Sequence, residues 1–126
     1  MRLAALAFFG GLASALVGPA LAGEVFSFDQ VRAGLSSNRI HLVDVREVDE
    51  FTAGHVPGAV NLPLSAFNVG QLPPPSEIPV VLMCRSGRRA GEALAVAEAA
   101  GRSDVGVYPG SMIEWMEKDG PVVTEP

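Results

Sequence analysis

From Val25 onward, apolar runs of strand length alternate with segments whose apolar positions recur at helical spacing. Val25 to Phe28 reads as a short edge strand, and Asp29 as the N-cap of a brief helix reaching about Leu35. Ile40 to Val45 is a mostly apolar, β-branched run that suits a strand. After a turn at Arg46-Glu47, Val48 to Ala53 forms a short amphipathic segment closed by Gly54, a helix-stop signal. The turn-rich stretch Gly54 to Ala59 leads to a further short strand at Val60 to Leu62.

Between Gly70 and Pro79 four prolines, at 73, 74, 75 and 79, predict a surface loop without regular structure. Val80 to Met83 is unbroken apolar, as a parallel strand buried on both faces requires. Gly87 to Ala100 places Ala90, Ala93, Leu94 and Ala97 on one helical stripe, with Gly101 just beyond. Val105 to Tyr108 is a last short strand, and Ser111 to Lys118 a last helix with Ile113, Trp115 and Met116 available for packing. Alternating strands and helices with short connections predict a three-layer α/β fold around a mainly parallel central sheet of about five strands.

The first residues follow a different pattern. Arg2 precedes an uncharged Ala/Leu/Phe/Gly-rich stretch from Leu3 to Val17, then Gly18-Pro19 and Ala20-Leu21-Ala22. That order predicts a signal peptide over residues 1–22, one domain over residues 23–126 and a periplasmic location. A retained anchor is the competing reading, since a bilayer span takes about 20 residues; against it stand the helix-breaking Gly18-Pro19 and the small residues at the cut. Removing residues 1–22 leaves 8 basic against 14 acidic residues, a net charge of −6. An acidic chain without a basic stripe is a poor nucleic-acid binder. One cysteine allows no internal disulfide, and Cys84 with the distant His41 and His55 lacks metal-ligand spacing, so neither metal nor other cofactor is expected.

Against this acidic background, Cys84-Arg85-Ser86-Gly87-Arg88-Arg89 concentrates three guanidinium groups in six residues. Ligands of open parallel sheets bind beyond the carboxyl ends of the strands, and Cys84 directly follows the most apolar strand and leads into the longest helix. Backbone N–H groups and the positive helix end converge there and stabilise an anionic sulfur. The same groups suit a small anion such as thiosulfate, whose outer sulfur would pass to Cys84 as a persulfide and then to an acceptor such as cyanide or a thiol. The competing reading of Cys84 is an inert buried thiol. Basic residues at a helix start oppose the dipole, so the arginines call for a functional reason, with Arg89 better placed than Arg88 to turn inward.

The motif does not stand alone. Leu42-Val43-Asp44-Val45-Arg46, Glu50-Phe51 with Gly54 to Asn61, the loop from Cys84 to Ala90, and Tyr108-Pro109-Gly110 with Trp115 and Gly120-Pro121-Val122 resemble, in order, the signatures of the rhodanese family. The resemblance implies a rhodanese fold, a persulfide at Cys84, and substrate held by the loop backbone with Arg85, Ser86, Gly87, Arg88 and Arg89. Asp44, Arg46 and Glu50 fall to structural support, His55 to loop packing and Trp115 to the core. Ser111 stands where the closing signature has a second glycine; at its distance along the chain from Cys84, it is expected to leave the chemistry untouched. Cysteine phosphatases share this fold, but their loop is one residue longer, and the position where they carry arginine is Ala90 here. Two functions remain: a thiosulfate sulfurtransferase, or a module that holds persulfide for a partner protein and turns over poorly alone.

Overall fold

All four residues of the apolar run Val80–Met83 are buried, and this strand lies inside the sheet with a neighbour on either side. The computed structural model describes residues 23–124, so the expected signal peptide, residues 1–22, lies outside the described residues. The elements in chain order are α1 (Phe28–Ser36), β1 (His41–Asp44), α2 (Val48–Ala53), β2 (Val60–Asn61), β3 (Val80–Met83), α3 (Arg88–Ala99), β4 (Val105–Val107) and α4 (Ser111–Glu117). Two short 3-10 turns, Leu64–Ala66 and Val69–Gln71, cross from β2 toward the proline-rich loop.

The sheet is parallel throughout, in the order β2-β1-β3-β4, with His41 opposite Val80 and Val80 opposite Val105. It has four strands rather than about five. Gly23, Glu24 and Phe26 exchange main-chain hydrogen bonds with β4, yet only Val25 forms a bridge, to Val107. The reason is the early start of α1. Ser27, not Asp29, is its N-cap: the Ser27 hydroxyl accepts from Gln30 N, and the Gln30 side chain accepts from Ser27 N. The helix therefore takes Phe28, and no residues remain to extend an edge strand. Asp29 falls in the first turn, where its charge favours the helix dipole.

Side chains of β3 alternate between two cores. Val80, Leu82 and Cys84 join Val43, Val45 and Val105 beneath the alanines of α3, whose small side chains let the helix approach closely. Val81 and Met83 point to the other face, where Phe28 and Val31 of α1 and Met112 and Trp115 of α4 cover the sheet. This is the three-layer arrangement, and it delivers Cys84 to the α3 face at the carboxyl edge of the sheet.

At the end of β1 the fully buried Asp44 accepts hydrogen bonds from Arg46 N at 3.0 Å and from Arg46 Nη2 at 2.8 Å. Arg46 Nη2 also donates to Gly54 O at 2.8 Å, and Asn61 Nδ2 donates to the carbonyls of Asp44 and Arg46. One ion pair thus ties β1, β2 and the end of α2 together. Removing its carboxylate strands a guanidinium that water reaches poorly, which costs about 3–5 kcal/mol. Asp44→Ala should therefore melt more than about 10 °C below the parent protein in a thermal unfolding scan; a fall of only a degree or two would show that the clamp is not structural.

Candidate active site

Cys84 is 1% exposed and its sulfur faces the main chain of the loop that follows. Gly87 N donates to Sγ at 3.0 Å and Ala90 N at 3.4 Å. Two constraints aim these amides inward. Gly87 has φ +100°, and a Cβ there would meet Pro109 O at 2.7 Å, so only glycine fits the turn. The carbonyls of Cys84 and Arg85 accept from Met112 N and Ile113 N at 3.0 and 3.1 Å, which fastens the start of the loop to the first turn of α4. The positive end of the twelve-residue α3 adds to the same field.

The three arginines diverge. Arg88 pairs with Glu92 one turn along α3 at 2.6 Å, with side chains 73% and 51% exposed, on the outer face of the helix. Arg89 turns inward and grips Glu50 with two hydrogen bonds, 2.7 and 3.0 Å, joining α3 to α2. That bidentate contact, with the Glu47 N–H, outweighs partial burial and holds the Glu50 carboxyl down to about 2 from its ordinary 4.5. Arg85 is exposed and makes no ion pair among the described residues. Its side chain borders an open cleft of about 370 Å³ with Arg46, Glu50, Met112, Met116 and Val122. Cys84 does not line this cleft; Ser86, at the loop's outer edge, is exposed.

Ser111 corrects the expectation drawn from chain distance. Its buried hydroxyl accepts from Cys84 N at 3.0 Å, donates to Tyr108 O at 3.0 Å and lies 4.0 Å from Cys84 Sγ. The signal was present as a serine where the closing signature has glycine. What concealed it is the parallel pairing of β3 with β4, which brings both strand ends to one edge.

A family model described as "Rhodanese-like domain" matches residues 27–118. The chain belongs to the rhodanese-like domain family. Among its relatives is a thiosulfate:glutathione sulfurtransferase of Saccharomyces cerevisiae, 34% identical over 112 residues, covering 77% of this chain and 81% of that protein. The human thiosulfate:glutathione sulfurtransferase is 31% identical over 107 residues, covering 74% and 93%. The crystal structure of a single-domain sulfurtransferase from Saccharomyces cerevisiae superposes with a TM-score of 0.68 at 33% identity, covering 79% of this chain and 93% of that one.

The remaining candidates serve the frame of this rhodanese-like domain. The His55 ring stacks on Phe51 at 3.7 Å, and its Nδ1 lies 2.8 Å from Phe51 O, which fixes the proton on that nitrogen. Trp115 packs against Phe28 and Tyr108 in the core, and its Nε1 donates to Pro121 O at 2.8 Å. His55 and Val123 exchange main-chain hydrogen bonds, so the segment 120–123 is strapped down at both ends and carries Val122 into the cleft wall.

The Glu50–Arg89 pair makes the domain acid-sensitive in a definable window. Folding depresses the Glu50 carboxyl, so its contribution is complete above about 4.5 and is lost as pH falls toward about 2. Denaturant unfolding across that window should show a steeper acid loss of stability in the parent than in Glu50→Gln. Identical acid limbs would remove the pair from the account.

Proposed function

We propose that this rhodanese-like domain is a sulfurtransferase that moves sulfane sulfur from thiosulfate, or a related polysulfide or persulfide donor, to a thiophilic acceptor through Cys84. The observation that carries the reading is the pair of amides, Gly87 N and Ala90 N, aimed at a single cysteine sulfur beside Arg85, which makes no ion pair among the described residues. In loading, the Cys84 thiolate bonds to the outer sulfur of thiosulfate. The S–S bond of thiosulfate breaks, and sulfite leaves with the electron pair. In discharge, the acceptor bonds to that outer sulfur and the electron pair of the broken bond returns to Sγ, so the cycle needs no external oxidant or reductant.

Arg85 is the loop arginine suited to the sulfonate end of the donor, because Arg88 and Arg89 are engaged by Glu92 and Glu50. The loop main chain, with Ser86 and Gly87 at its turn, supplies the remaining anion contacts. The names of the yeast and human relatives support thiosulfate as donor and a thiol such as glutathione as acceptor. The cleft beside Arg85, open and walled by Met112, Met116 and Val122, has room for the acceptor. Delivery to a partner protein is the second reading, favoured by the exposure of Met116 (60%) and Ile113 (39%) at this cleft. Export to the periplasm rests on the order of charge, apolar stretch and small residues in residues 2–22.

Intact-mass measurement tests these points together. Protein purified from the cell envelope should lack residues 1–22, whereas a full-length mass there would mean a retained anchor. Thiosulfate should add one sulfur atom to the parent and none to Cys84→Ser, and cyanide should remove it with release of thiocyanate. Failure of thiosulfate and polysulfide alike to add sulfur would eliminate the sulfurtransferase reading. Loading without repeated turnover on small acceptors would favour the delivery module.

A further inference from the structure

Ser111 has φ +55°, in the left-handed region that a residue with a Cβ occupies only at a cost. It is fully buried, so the strain is not relieved by solvent contact. Glycine would adopt this conformation freely. What glycine lacks is the hydroxyl that accepts the Cys84 N–H at 3.0 Å, in a place where that donor would otherwise have no acceptor from this side chain. The serine is thus held against its backbone preference by a contact to the main chain of the reactive cysteine.

A hydroxyl offers two lone pairs and one proton that turns about the Cβ–Oγ bond. A lone pair of Ser111 Oγ is engaged by Cys84 N. The proton has two acceptors in range, Tyr108 O at 3.0 Å and Cys84 Sγ at 4.0 Å. With a neutral thiol the carbonyl holds the proton by proximity. When Sγ carries a full charge, a charge-assisted hydrogen bond, about twice as strong as a neutral one, draws it to sulfur.

We propose that Ser111 is a positioning residue that fixes the Cys84 main chain and lends Sγ a third hydrogen bond, beside those of Gly87 N and Ala90 N, whenever the charge resides on that atom. The consequence for the two half-reactions rests on the sulfurtransferase reading and is asymmetric. In the persulfide the charge lies on the outer sulfur. In discharge the acceptor bonds to that outer sulfur, the bond from it to Sγ breaks, and the electron pair arrives on Sγ, where Ser111 stabilises the departing thiolate. In loading Sγ gives up its charge to form the new bond, so the same contact gives no acceleration there.

The test compares full-chain Ser111→Ala, which keeps the Cβ, with Ser111→Gly, which also relieves the backbone. Iodoacetamide alkylation of Cys84 across pH should move to higher pH in both variants, because the thiolate has lost a donor. Single-turnover discharge of the persulfide by cyanide should slow about tenfold, the effect of one lost hydrogen bond to a charged group. Loading by thiosulfate, measured on the alkaline plateau of the alkylation curve, should not slow and should rise by up to about threefold, since the thiolate that has lost the contact is the stronger nucleophile. Unchanged alkylation curves, or equal slowing of both half-reactions, would overturn the proposal, and so would a shifted curve with unaltered discharge. If Ser111→Ala does not fold, Ser111→Gly carries the same readouts. Alkylation needs no sulfur donor, so a protein that never loads from thiosulfate loses the sulfurtransferase reading while the Ser111 contact is still judged.

Discussion

Charge on a sulfur atom that water barely reaches must be met by donors already in place, and much of this chain exists to hold two of them still. Gly87 N and Ala90 N face Cys84 Sγ because Gly87 takes a left-handed turn and the start of the loop is fastened, through the carbonyls of Cys84 and Arg85, to the first turn of α4. α4 in turn is anchored by Trp115 and Met112 in the core that it shares with α1. The core on the other face of the sheet anchors α3, whose start supplies Ala90 N.

The arginines show how charge is sorted once the chain is folded. Three cations near one helix start would repel one another and oppose the dipole. The fold offsets two of them with carboxylates: Glu92, a turn away on the same helix, and Glu50, brought from α2. These pairings differ in consequence. The exposed Arg88–Glu92 contact stabilises little, whereas Arg89–Glu50 sets the distance between the loop and the cleft edge. Arg85 has no such carboxylate among the described residues.

What could be read from the chain was whatever depends on neighbours in sequence. The apolar run Val80–Met83 and the amphipathic segment Val48–Ala53 fold over those same residues, since each carries its burial pattern and its stop signal locally. Cys84 and its loop were legible because strand, cysteine, glycine and helix follow one another directly. The fifth strand failed on a local competition in which the Ser27–Gln30 capping box captured residues that strand propensity would have claimed. Ser111 failed on a non-local one. Nothing near it in sequence mentions Cys84, 27 residues earlier, and only strand register brings its hydroxyl to the Cys84 amide.

The strap formed by residues 120–123 gives the site an uneven grain. The loop around Cys84 is seated in one core through Cys84 and Ala90 and hydrogen-bonded to α4, which belongs to the other, so its shape depends on both layers. Val122, by contrast, reaches the cleft on a short ribbon fastened at His55 and Trp115 and bonded to little else. The cleft wall at Val122 can therefore change shape through this ribbon alone, whereas a change at the Cys84 loop is felt by α3 and α4 together.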